Sequence, residues 1–232
     1  MHLSCCPKAI VMRLKVHNYK VNGWRKAFLL LPIVGIVVFV ALYLLATLYY
    51  PGGTNANRYS IGFDWTNNYW CDLTGNYAKN GSPNLAQPIA LTAIAILSAA
   101  LSAFWYQISR WSADADRGML MRYPGMASMA GMLLLFTHLH DAVVVVSGIL
   151  GMLAIAALIG ALQKNGYRAL ARYGLLCAVA VLLNYGIYES GVLIGRLPLI
   201  QKFSFLLFLL WIGMVDYHLC LKGKIIGQGK KQ

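Results

Sequence analysis

"YPGMASMAGMLLLFTHLHDAVVVVSGILGMLAIAALIGAL", residues 123–162, is the stretch that decides the fold. From Met126 to Leu162 its only ionisable side chains are His138, His140 and Asp141. Hydrophobic periodicity does not divide so apolar a run, because helix and strand patterns look alike there. Length does divide it. A helix that crosses a bilayer needs about 20 mostly apolar residues, and residues 123–162 hold enough for two. The stretch predicts a third helix over 123–137, starting as early as 119, and a fourth over 142–162. The tight turn between them falls on residues 137–141.

Four more apolar segments flank this pair, at about 27–50, 88–108, 173–195 and 203–221. The 232-residue chain is 59% hydrophobic and only 12% charged, whereas a soluble domain is nearer half apolar and a quarter charged. The expectation is an all-α polytopic membrane protein with six transmembrane helices in one bundle. Its parts are a basic cytoplasmic N-terminal segment (1–26), the six-helix domain (27–221, with an outer loop at 51–87) and a basic cytoplasmic tail (222–232). The opening "MHLSCCPKAIVMRLKVHNYKVNGWRK" is basic and only mildly apolar, so it does not read as a cleaved signal peptide. The five cysteines show no CxxC and no metal-finger spacing.

The formal charge is +13. A basic excess can signal nucleic acid, but no nucleic-acid motif accompanies it here. The positive residues sit instead at the edges of the apolar runs. With the N-terminus in the cytoplasm, sixteen Lys and Arg lie inside. Only Arg58, Lys79, Arg196 and Lys202 lie outside. That asymmetry follows the positive-inside rule and favours an even number of spans, both termini cytoplasmic. Four of the seven carboxylates, Asp64, Asp72, Asp141 and Glu189, fall on or near the outer side.

These outer groups are the candidate site. The loop 51–87 is longer than an unstructured connection usually is, and it is rich in Tyr and Trp. An interfacial aromatic belt accounts for most of those rings. Asp64 and Asp72 beside them suggest a loop that caps a site. In "THLHD" three readings stand. An interfacial turn would place Asp141 as N-cap of the fourth helix. An acid/base role would pair imidazole with carboxylate. A metal such as zinc would take His138 and His140, with Asp72 as a further ligand. Glu189, in "NYGIYESGVLIG", is expected about 9 Å inside the outer end of the fifth helix, where a carboxylate rarely faces lipid. It is predicted to face the bundle interior with Tyr185, either in a helix–helix network or in a functional cavity. Catalytic candidates are therefore Asp72, His138, His140, Asp141 and Glu189. Asp216 and His218 are expected at the inner headgroups, and Met126, Met129 and Met132 as packing.

"NNYWCDL" and "NGSPNLAQPIA" carry a resemblance. Asn68, Tyr69, Trp70, Cys71, Asp72 and Leu73, followed by Asn80, Gly81, Asn84, Ala86, Pro88, Ile89 and Ala90, resemble the motif of a group of bacterial integral membrane proteins of uncharacterised activity. More distantly, the layout is similar to the six-helix proteins of domain-of-unknown-function family 998 and the Frag/DRAM group. Leu85 stands where that pattern leads one to expect proline, and Gln87 where it leads one to expect a basic residue. The resemblance implies a multi-pass protein of a bacterial plasma membrane and no particular activity. Two function classes follow. One is a lipid-facing protein with an outer-leaflet polar site, either lipid-binding or hydrolytic. The other is a non-enzymatic transporter, sensor or scaffold. Membrane lipids are the expected partners in both.

Overall fold

The computed structural model describes residues 23–112, 114–134 and 140–221. Within them the chain forms six long helices: α1 (Gly23–Leu48), α2 (Gln87–Ser109), α3 (Ala115–Met132), α4 (His140–Lys164), α5 (Arg168–Ser190) and α6 (Leu197–Asp216), the last continued by a π-helical turn at Tyr217–Leu221. Among the described residues, extended pairing is limited to two isolated bridges in the outer loop, Gly52 with Ile61 and Tyr77 with Pro83. Each helix packs on the next in sequence, and α6 returns to α1, which closes the bundle.

Five helices are long and apolar enough to cross a membrane, at Ala27–Leu48, Gln87–Ser109, Ala142–Lys164, Arg168–Ser190 and Ile194–Leu219. Only 22% of the α1 and α4 windows is buried. Leu44, Leu45, Leu175, Leu176, Leu182 and Leu183 all point outward. Water would not tolerate so large a continuous apolar surface, whereas a bilayer is its natural solvent. The chain reads as a multi-pass membrane protein.

α3 departs from expectation. It starts at 115 rather than near 123, because Asp114 caps it by accepting from the Arg117 amide at 3.3 Å. Its first turns therefore carry Asp116, Arg117 and Arg122, and it ends at Met132, five residues before the expected end at 137, where the Leu133 amide turns back to the Ala130 carbonyl at 3.2 Å. α6 also starts early, at Leu197 rather than 203. Pro198 sits in its first turn, where the missing N–H costs nothing. α5 stops at Ser190 because Gly191 takes the left-handed conformation (φ +69°) and returns its amide to the Ile187 carbonyl at 3.0 Å.

Close helix approach depends on small residues, as expected where no water drives association. Gly174 of α5 lies against the Trp211 ring of α6, where a Cβ would collide. The same indole donates to the Leu170 carbonyl at 2.8 Å. α1 and α2 are joined differently. Pro32 lies inside α1 and has no N–H to offer the carbonyl four residues back, Phe28. Gln107 of α2 donates its side-chain amide to that carbonyl at 2.7 Å. A freed backbone group in a membrane helix needs such a partner.

Asp216 was expected at the inner headgroups but is fully buried in the bundle. The reason is its register, since it shares a face with Ile212, Val215 and Leu219, which are also buried. His218 turns back to its own helix, with Nδ1 2.9 Å from the Met214 carbonyl.

Candidate functional site

The outer loop is folded. It leaves α1 through Pro51–Gly53, where Gly53 has φ +82° and presses so closely on the Lys79–Asn80 backbone that no side chain would fit. Tyr50 secures this crossing, its hydroxyl accepting from the Lys79 amide at 3.0 Å. Asp64 then closes a tight turn. Its Oδ1 accepts from the Thr66 hydroxyl at 2.6 Å and from the Thr66 and Asn67 amides at 2.8 and 3.1 Å, while its Oδ2 accepts from the Asn67 side chain at 2.7 Å. Those bonds, led by the Asn67 and Thr66 side chains, hold its carboxyl at about 2. With its oxygens so engaged, Asp64 is a poor proton acceptor near neutrality.

Asn68 is the hub of the loop. It is completely buried. Its side chain donates to the Gly53 carbonyl at 2.8 Å and to the Asp72 carboxylate at 3.0 Å, and accepts from the Asp64 amide at 2.9 Å. A 3-10 turn, Trp70–Thr74, follows. Asp72 caps it from within by accepting from the Tyr69 amide at 2.9 Å, and it pairs with Lys79 at 3.5 Å. Asn84 finishes the loop. Its amide reaches the Asp72, Leu73 and Gly75 carbonyls at 3.1, 3.1 and 2.8 Å, and its Oδ1 accepts from the Ala86 amide at the start of α2.

Two features anchor this loop to the bundle. Trp70 is seated among Tyr43, Phe39 and Phe205, with ring centroids at 5.2, 6.1 and 5.4 Å. Below it, Lys202 of α6 is 5% exposed. An ammonium has three N–H donors and no acceptor. Here they reach the Trp65 carbonyl at 3.1 Å, the Pro198 carbonyl at 3.2 Å and the Asn68 carbonyl. The Phe63 ring lies 5.4 Å from Nζ, and the Asp72 and Asp64 carboxylates act on its charge.

The predicted residues separate. Asp64 and Asp72 meet through Asn68. Glu189 does not join them: it is exposed in the last turn of α5, beside Tyr185. The cause is the early Gly191 cap, which puts Glu189 at the helix end rather than about 9 Å below it. His138 lies outside the described residues. His140 and Asp141 occupy the first turn of α4, so Asp141 is inside the helix rather than its cap, and their side chains lie outside the described residues. Among the described residues no group of three or more His, Cys, Asp or Glu is placed to hold a metal.

Sequence reasoning missed Lys202, Asn68 and Asn84 as the residues that organise the loop. A signal for Lys202 was present. A lysine four residues after Pro198, inside an otherwise apolar helix, has to find oxygen partners. Comparison of the chain with family models, with curated proteins and with solved structures finds no match.

Proposed function

We propose that the chain is a six-span membrane protein with both termini in the cytoplasm, and that its outer loop is a fixed, non-catalytic cap. The cap would present a surface at the outer leaflet, as in a scaffold or sensor. The observation that carries this reading is the complete use of Lys202. All three of its donors go to main-chain carbonyls, and Asp72 is occupied by Asn68, Tyr69 and Lys79. A general base or nucleophile needs a free, reachable atom. These groups hold the loop on the helices instead.

The topology is supported by the same contacts. Lys202 ties the start of α6 to the outer loop, so α6 begins outside. Working back through the short connections at 191–196 and 165–167, α5 ends outside and α4 ends inside. α3 then runs outward beside α4. Arg117 meets Gly160, Ser128 meets Gly151 and Gly131 meets Ser147, an antiparallel match along the whole helix. The resemblance of the Asn68–Leu73 stretch supports a bacterial plasma membrane, with lipids as the immediate partners.

A hydrolytic or zinc-dependent reading would rest on His138, His140 and Asp141 without help from Asp72 or Glu189. Hydrogen exchange across 51–87 in the purified protein tests the cap. Amides at 68–84 that exchange as slowly as helix interiors agree with it. Exchange at the rate of a free loop contradicts it.

A further inference from the structure

The inner end of α2 and α3 gathers two guanidinium groups around one ring. The Arg122 guanidinium carbon stands 4.5 Å from the Tyr106 centroid and 5.6 Å from that of Tyr123. Arg110 approaches the same Tyr106 ring at 5.7 Å, with Nη1 3.5 Å from its hydroxyl. Two like charges sharing one aromatic ring repel each other, and cation–π attraction offsets this only in part. Among the described residues the ion pairs are Lys79 with Asp72 and Arg117 with Asp114, so neither Arg110 nor Arg122 has a carboxylate. The Arg122 Nε is buried and has no hydrogen-bond partner among the described residues.

Guanidinium is suited to phosphate, because its planar fork offers paired N–H donors. The surroundings favour a lipid phosphate over a free one. Tyr123, beside Arg122, and Ala127, one turn further along α3 toward the bilayer centre, are exposed, suited to acyl chains. Arg110 closes the end of α2 on the headgroup side of that surface. We propose that Arg110 and Arg122, gathered about Tyr106, hold the phosphate of an anionic phospholipid. Placing that lipid in the inner leaflet rests on the six-span orientation proposed above. The inner leaflet is where basic clusters beside transmembrane helices meet negative headgroups.

Binding of phosphatidylglycerol to the purified full chain in neutral detergent micelles tests the site without reference to orientation, which cysteine labelling of the helix ends tests separately. The wild-type protein should bind phosphatidylglycerol and not phosphatidylcholine. Arg122→Gln and Arg110→Gln should each weaken binding about tenfold or more, the loss expected for a charge-assisted hydrogen bond. Lys164→Gln, a basic residue at the same end but outside the cluster, should change it less than about twofold. Arg110 is exposed, so its variant keeps the fold even if Arg122→Gln does not. Equal affinity in wild type and both arginine variants would overturn the site. So would equal affinity for the two lipids. Inorganic phosphate that displaces the lipid at equal concentration would overturn the lipid as ligand.

Discussion

Replacing Lys202 with methionine should release the outer loop while leaving the helices in place. Methionine matches the length of the lysine stem and removes only the ammonium. The Trp65 and Asn68 carbonyls then lose their donor. The Pro198 carbonyl loses less, since it lies one helical turn back in α6 and keeps its helix hydrogen bond. A carbonyl left without a partner costs about 1–3 kcal/mol where buried, as at Asn68, and less where half-buried, as at Trp65, so the two give about 2–5 kcal/mol. Relief from burying an ammonium offsets part of this, which leaves about 3 kcal/mol against the closed loop. At about 1.4 kcal/mol per tenfold, the open population rises about 100-fold. Hydrogen exchange reads that population directly where opening is local. The reporters are the Asn68 and Asp72 amides, bonded to the Asp64 and Tyr69 carbonyls at 2.9 and 3.2 Å. Both should exchange about 100-fold faster in Lys202→Met, with the interior of α2 unchanged as internal reference. Protection within about threefold of wild type would refute the reasoning, because a 3 kcal/mol clamp cannot be removed without that signal.

Three further outcomes follow from the same geometry. Gln107→Leu strands the Phe28 carbonyl and should cost about 1–2 kcal/mol of stability. Adding Pro32→Ala should restore the helix bond and recover most of the loss, and a double-mutant cycle by thermal unfolding in detergent that shows no coupling would contradict the pairing. Asp64 is held at about 2 against an ordinary 3.8, so its ionised form stabilises the loop fully above about pH 4 and that contribution is lost as pH falls toward 2. Trp65 fluorescence should track this transition in wild type, and Asp64→Asn should remove that component; identical acid profiles would count against it. Chelation with EDTA should leave amide protection across 51–87 unchanged, because Asp72 is held by Asn68, Tyr69 and Lys79. A chelator-induced gain in exchange would show a metal in the cap.

The six helices were legible because lipid-facing helices are apolar all round, and residues 123–162 needed only length to divide. Helix starts were less legible. α3 begins at a polar cap, Asp114, among residues that resemble an inner loop, and α6 begins at a proline that looks like a loop residue until its first-turn position is known. Glu189 was misplaced for a similar reason: a single left-handed glycine, Gly191, ended α5 early and moved the carboxylate from the membrane interior to the helix end. Within the cap, Asp72 was visible as a carboxylate beside aromatics. Its partners were not, because Lys202 lies far away in sequence and the spacing of residues within the loop does not disclose that contact. Asn68 and Asn84 act through main-chain groups, which carry no signature in side-chain pattern.

Accessibility of single cysteines at the helix ends tests the six-span arrangement most directly. In an otherwise cysteine-free chain, Tyr59→Cys and Gly195→Cys should react with a membrane-impermeant maleimide applied to intact cells. Ser112→Cys and Asn165→Cys should react only after permeabilisation. Labelling of Asn165→Cys from outside, or protection of Tyr59→Cys, would contradict the account.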